Sequence, residues 1–233
     1  MEQQGTNKKI KLDTKRFKGI IFDFDGTLVD TEKIHYQAFQ FSLKKVAGVE
    51  YVSFEDHSNV YTGTGGEFII TQELQRHQVT NVTTDQVLQV KKLAFARLIK
   101  KEGLKTIPGA VDILKELGRK QVSSTVVSGG YRSSIEQAMK IANLSTDYFI
   151  SITSREDYEK PKPDPEGFLK AAEAMGLEPS ECLVFEDAPN GIEAAQRAGM
   201  SHIAIARYVS EERFREIDQA ILTIQEYSEI AVY

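Results

Sequence analysis

One cysteine, Cys182, stands in 233 residues, so no intramolecular disulfide is available and core packing must hold the fold. That thiol opens an apolar run, where a buried structural role is expected, and a reducing, cytoplasmic setting fits it. No apolar run approaches the roughly eighteen residues of a membrane helix. Residues 1–15 carry Lys8, Lys9, Lys11 and Lys15 but no apolar centre, which reads as a loose tail and not as a secretory signal. Positive charge is not in excess either: the net charge is −5, which argues against nucleic acid or an anionic membrane as a partner. There is no internal repeat and no low-complexity stretch. His57, His77 and His202 lack ligand-like spacing, so a histidine metal site is not expected. The 41% of hydrophobic residues suffices for one large domain, or for a domain with an insert.

The most informative stretch is Gly19-Ile20-Ile21-Phe22-Asp23-Phe24-Asp25-Gly26-Thr27-Leu28-Val29-Asp30. Its apolar opening reads as a strand buried on both faces, as in parallel sheets. It nevertheless delivers Asp23 and Asp25 at its carboxyl end, where open α/β sheets place ligands. Two carboxylates so close repel each other and need a cation or a shared proton.

From 31 to about 105 the pattern is helical, with no convincing buried strand. Inserted directly after the first strand, this block reads as a separate helical unit covering 34–105, and 16–33 with 106–233 form the α/β core. Within the insert, Tyr61-Thr62-Gly63-Thr64-Gly65-Gly66-Glu67 is either a backbone cradle for an anion, with Thr64 at its centre, or a flexible connector between helices. His35, ten residues beyond Asp25, is either a hinge residue facing the site or a packing residue.

Beyond the insert, apolar runs at 122–127, 148–152, 182–185 and 201–206 alternate with helical patterns, the arrangement of a doubly wound α/β fold. Two of these runs end in chemistry. The first stops at Ser128-Gly129-Gly130, a hydroxyl beside backbone N–H groups that can hold an anionic oxygen. Another stops at Glu186-Asp187. Between them, Glu159-Lys160-Pro161-Lys162-Pro163-Asp164-Pro165 carries three prolines in five residues, a stiff extended segment able to fix an ammonium group.

Asp23-Phe24-Asp25-Gly26-Thr27 resembles the first motif of the haloacid dehalogenase superfamily. Ser128, Lys160-Pro161-Lys162-Pro163-Asp164 and Val184-Phe185-Glu186-Asp187-Ala188-Pro189-Asn190-Gly191-Ile192 are similar to its three later motifs, in family order. The resemblance runs over nearly the whole chain from about residue 17 and is to subfamily I, the β-phosphoglucomutase-like phosphatases. It implies a Rossmann-like core with an inserted helical cap, and a Mg²⁺-dependent phosphatase acting on a small-molecule phosphate ester as a monomer or dimer.

By that resemblance Asp23 is the nucleophile and Asp25 the general acid and base, so the pKa of Asp25 is expected to lie above that of Asp23. Lys160 neutralises the phosphate and Lys162 faces water; Ser128 and Gly129 hold a phosphate oxygen. Mg²⁺ is held by Asp23, Asp187 and the Asp25 carbonyl, with Glu186 assisting through water. Thr64 and His35 are the candidate substrate contacts from the insert. Two alternatives remain: a hexose-phosphate mutase, which His35 favours and the uncharged loop at Thr62 and Gly66 disfavours, and a non-catalytic phosphometabolite-binding module.

Overall fold

The computed structural model describes residues 9–233. A short strand β1 (Ile10–Leu12) precedes the first core strand, β2 (Gly19–Phe22). Four helical segments follow: α1 (Glu32–Ala47), the single turn α2 (Phe54–Asp56) continued by a π-helical turn (His57–Tyr61), α3 (Gly66–Arg76) and α4 (Thr84–Glu102). Then helices and strands alternate as α5 (Ala110–Arg119), β3 (Ser123–Val127), α6 (Arg132–Ile141), β4 (Ser151–Thr153), α7 (Glu166–Met175) and β5 (Cys182–Glu186). The chain ends with α8 (Pro189–Arg197), β6 (Ser201–Ile205), α9 (Glu211–Arg215), β7 (Leu222–Ile224) and β8 (Ile230–Val232).

Six strands form one parallel sheet in the order β4-β3-β2-β5-β6-β7. The chain winds outward from β2 through β3 to β4, then returns to β5 and winds the other way. The strand order therefore reverses between β2 and β5, the switch point at which such sheets bind ligands. Every residue of β2 and of β5 is buried, because helices cover both faces. Alternate side chains serve opposite layers. Ile20 and Phe22 join Ile113, Leu117 and Ile135 of α5 and α6, whereas Ile21 joins Phe168, Ala171 and Ala194 of α7 and α8. Burial of each large side chain contributes about 1.5–3 kcal/mol, which favours this register over a one-residue slip that would exchange the two layers.

The segments α1–α4 build a helical cap with its own core of Phe39, Leu43, Ile70, Leu74 and Val87. The longest of them, α4, starts in a capping box of Thr83 with Gln86 and stops at Gly103, signals written in the sequence. The connections into and out of the cap run side by side: Asp30 N–H donates to the Lys105 carbonyl and Ile107 N–H to that of Leu28, both at 2.9 Å. Among the described residues, no helix is long and apolar enough to cross a membrane.

The loose tail expected over 1–15 needs correction. Residues 1–8 lie outside the described residues, but Ile10–Leu12 pairs in parallel with Ile230–Val232, and Leu12 is buried in the main core. Burial of Leu12 and backbone hydrogen bonding to the last strand order a stretch too short to show a period.

Candidate active site

Phe22 of β2 stands opposite Phe185 of β5, and their rings stack with centroids 5.3 Å apart. Asp23 comes directly after β2, Glu186 ends β5, and Asp187 follows it. The carboxylates of these three residues bring ligand atoms within 4.8 Å of one another, and all three are buried. Two glycines make the crowding possible. A Cβ on Gly26, whose φ is +75°, would meet Asp187 Oδ2 at 1.9 Å, and one on Gly191 would meet Glu186 Oε1 at 1.6 Å. Any side chain at either position would push the acids apart.

Burial raises the pKa of Asp23 well above the carboxylate range, the Glu186 charge raises it further, and Lys162 offsets part of the rise. Asp187 is raised by burial, then by Glu186 and Asp23. Buried like charges this close call for cationic compensation. Among the described residues one ammonium faces the cluster, that of Lys162, 2.5 Å from Asp23 Oδ1 and 2.9 Å from Glu186 Oε1. The second oxygen of Glu186 accepts the backbone N–H groups of Asp187 and Ala188 at 2.6 and 3.1 Å. Its lone pairs are largely committed, whereas among the described residues the Asp187 carboxylate accepts only from the Thr27 hydroxyl, at 3.4 Å. Hard oxygen donors with surplus negative charge fit a small divalent cation.

The lysine in the cluster corrects the sequence pattern, which points to Lys160 and leaves Lys162 in water. In the structure Lys160 is exposed and its backbone N–H, with that of Glu159, is bound by the carboxylate of Glu166, the first residue of α7, which ties down this backbone and leaves the Lys160 side chain outward. The chain then directs Lys162 inward over the Phe168 ring, 4.9 Å from its centroid.

The side chain of Asp25 points away from the cluster, toward the cap. Its Oδ1 accepts from the Thr31 hydroxyl at 2.8 Å and lies 3.3 Å from His35 Nε2. His35 Nδ1 in turn meets the Lys91 ammonium at 2.8 Å, and the ring stacks on Phe95. Burial alone would raise the Asp25 pKa, but the bonds from His35 and Thr31 and the Lys91 charge bring it below the usual value. Asp25 is thus held low by its partners, whereas burial and the Glu186 charge hold Asp23 high. Burial pushes His35 down, with Lys91 adding to the shift, and brings Lys91 itself to about 8.

Ser128, at the end of β3, is buried; its Oγ accepts the Gly130 N–H at 3.0 Å, so the hydroxyl proton remains available. Gly129 lines a cavity of about 720 Å³ between cap and core, together with Asp23, Asp25, His35 and Thr64. Thr64 spends its hydroxyl on the Tyr61 carbonyl of its own loop, at 2.8 Å, and the neighbouring Gly63 carbonyl accepts from Asn190 at the start of α8. Thus the glycine-rich loop does face the site and touches the core. Two functional candidates escape the sequence pattern: Lys162 and Lys91. Lys91 lies 56 residues from His35 on a helix whose other lysines are solvated. Only the packing of α1 on α4 brings the two together.

The family model described as haloacid dehalogenase-like hydrolase matches residues 20–205. The chain is 32% identical, over 90% of its length and 95% of the relative's, to the validoxylamine A 7'-phosphate phosphatase of Streptomyces hygroscopicus subsp. limoneus. It is 28% identical to hexitol phosphatase A of Escherichia coli over 91% and 93% of the two chains. Its fold superimposes with a TM-score of 0.79 on a CbbY variant from Rhodobacter sphaeroides in complex with xylulose-(1,5)bisphosphate, at 24% identity over 93% and 97% of the chains. With four motifs on one parallel sheet and a helical cap after its first core strand, the chain belongs to the haloacid dehalogenase-like hydrolases, as one of their phosphatases.

Proposed function

We propose that the chain is a Mg²⁺-dependent phosphatase that hydrolyses small-metabolite phosphate monoesters, such as sugar phosphates or nucleotide-like esters, through an aspartyl-phosphate on Asp23. One observation carries this reading: adjacent strands end in three buried carboxylates faced, among the described residues, by a single ammonium, beneath a cavity between cap and core. Asp23 and Asp187 would hold the ion by their carboxylates and Asp25 by its backbone carbonyl. Glu186, already bonded by Lys162 and two N–H groups, would act through water. When bound, Mg²⁺ supplies the charge that keeps Asp23 ionised and orients the phosphate.

The chain's own groups do the rest. The Asp23 carboxylate attacks phosphorus as the bond to the leaving oxygen breaks, and Asp25 hands that oxygen a proton. In the second step Asp25 takes a proton from the water that attacks the phosphoryl group, releasing phosphate and regenerating Asp23. Asp25 is ionised at rest by virtue of His35, Thr31 and Lys91. The negative charge of an arriving phosphate raises its pKa again, so it takes up its proton as substrate binds. Lys162 replaces Lys160 as the cation on the phosphate, and the Ser128 hydroxyl with the Gly129 N–H takes a non-bridging oxygen. The cap keeps bulk water out during the first transfer.

Phosphate release from nitrophenyl phosphate and a panel of metabolite phosphates, with Mg²⁺ and with chelator, tests the proposal. Release that needs metal is the expected result. Conversion of a sugar 1-phosphate to the 6-phosphate without net release would instead identify a mutase.

A further inference from the structure

The cap also meets the core away from the cavity. Tyr208 stands in the loop between β6 and α9, beyond the residues 20–205 that the family model matches. Its hydroxyl donates to Asp30 Oδ1 at 2.8 Å. Its ring meets that of Phe54, the first residue of α2 in the cap, edge-on, with centroids 5.6 Å apart and planes at 86°, an arrangement that aromatic pairs prefer. Asp30, Phe54 and Tyr208 all lie outside the lining of the cavity.

Asp30 sits in the linker, where its N–H is bound by the Lys105 carbonyl as the chain enters and leaves the cap. Its second oxygen faces the Arg207 guanidinium at 3.6 Å, and Arg207 donates to the Gln225 carbonyl at 3.2 Å. The core thus grips the linker through two adjacent residues, one of which also touches the cap. The residue after Asp30, Thr31, is buried and donates to Asp25 Oδ1 at 2.8 Å. Contacts therefore run without a gap from Phe54 through Tyr208, Asp30 and Thr31 to Asp25. Burial and the Asp30 bond raise the Tyr208 pKa, so its hydroxyl remains a donor at any working pH. On the cap side, Phe54 leads through the π-helical turn into the loop whose Gly63 carbonyl accepts from Asn190. A cap lifted from the core would withdraw Phe54 from the Tyr208 ring and leave the grip on Asp30 unsupported.

We infer that Tyr208 is a positioning residue that ties the seating of the cap to the placement of Asp25, its ring supporting Phe54 and its hydroxyl fixing the linker ahead of Thr31. The inference rests on the hydrolase reading above, in which Asp25 protonates the leaving oxygen. A misplaced Asp25 costs most where the leaving group needs that proton. Phenolate needs it, being about as basic as tyrosinate, with a pKa of about 10, whereas nitrophenolate leaves without it. A merely structural weakening lowers the turnover of both esters alike.

The test compares phenyl phosphate with nitrophenyl phosphate, using the full chain with Mg²⁺ and reading kcat/KM, which covers the steps up to release of the alcohol. Tyr208→Phe keeps the ring and deletes the hydroxyl; Phe54→Leu keeps the hydroxyl and deletes the edge-on contact. In each variant kcat/KM for phenyl phosphate is expected to fall about tenfold, a part of the roughly 10²–10⁴ that a general acid supplies, and that for nitrophenyl phosphate to stay within about twofold. Equal losses on the two esters, or no loss on either, overturn the inference in whichever variant they occur, so one folded variant suffices. If the native protein cleaves neither ester, the hydrolase reading itself fails.

Discussion

The ammonium of Lys162 reaches Asp23 across 139 residues of sequence, 2.5 Å from its Oδ1, and bridges it to Glu186. Burial opposes the charge of Lys162, but Asp23 and Glu186 outweigh burial and raise its pKa. It stays protonated throughout the working pH range and offsets the charge that grows on the phosphate. Lys162→Ala is therefore expected to lower kcat/KM by about 10²–10³-fold, the loss typical of one removed electrostatic donor. Lys160→Ala should stay within about twofold, because Lys160 is exposed and contributes only its backbone N–H. Steady-state kinetics on one aryl phosphate checks both; equal losses would contradict the assignment.

The raised pKa values of Asp23 and Asp187 express burial first and then the repulsion of neighbouring carboxylates, both of which a divalent cation offsets. Addition of Mg²⁺ at about a hundred times its Kd should stabilise the fold by about 2.7 kcal/mol, or roughly 5–10 °C in a chain of this size. Asp187→Asn should abolish most of that response without unfolding the protein, since it removes one of the repelling charges. Thermal melting with Mg²⁺ and with chelator reads the difference, and an unchanged shift in the variant would remove Asp187 from the metal set.

Lys91 gives a pH dependence of stability. Its pKa falls from 10.5 to about 8, chiefly by burial, so between those values the unfolded chain binds the proton that the folded chain releases. Below about pH 8 the buried charge costs its full penalty, and stability rises with pH between about 8 and 10.5 as that penalty is relieved. At 1.36 kcal/mol per pKa unit the whole effect is about 3 kcal/mol at most. Denaturant melts of native protein and Lys91→Met across this range should differ by that slope, which cancels the tyrosines common to both. Parallel curves would contradict it.

Leu12 is 2% exposed under the two-stranded pair that joins the ends of the described chain. Leu12→Ala should cost about 2–5 kcal/mol, measured by urea denaturation, whereas a loose tail would make the substitution neutral.

The contrast between Leu12 and Phe22 shows how far the sequence could be read. Phe22 belongs to an apolar run that ends in acids, and that run announces both a buried strand and a site at its end. Asp23, Asp25, Glu186 and Asp187 are legible for the same reason: carboxylates directly after buried strands have few structural explanations. Leu12 sits in a three-residue strand whose partner lies near the other end of the described chain, a pairing with no local signature. Lys160 and Lys162 each precede a proline, so the motif fits in two registers, and only the Glu166 carboxylate on the Glu159–Lys160 backbone selects one. Lys91 acts from the cap, where its role depends on helix packing that no local pattern encodes. The low pKa of Asp25 likewise follows from His35, Thr31 and Lys91, groups that the strand-end motif does not contain.

The central claim is that Asp23 carries the phosphoryl group. Asp25→Asn, mixed with Mg²⁺ and nitrophenyl phosphate and quenched in acid, offers the most direct test. Nitrophenolate leaves without a proton, so the first step proceeds, whereas the second lacks its base. Mass spectrometry of the digested protein should find a phosphoryl adduct on the peptide containing Asp23, absent when Asp23→Asn is added to the variant. Nitrophenolate release with no adduct on that peptide, or with an adduct elsewhere, would contradict the account.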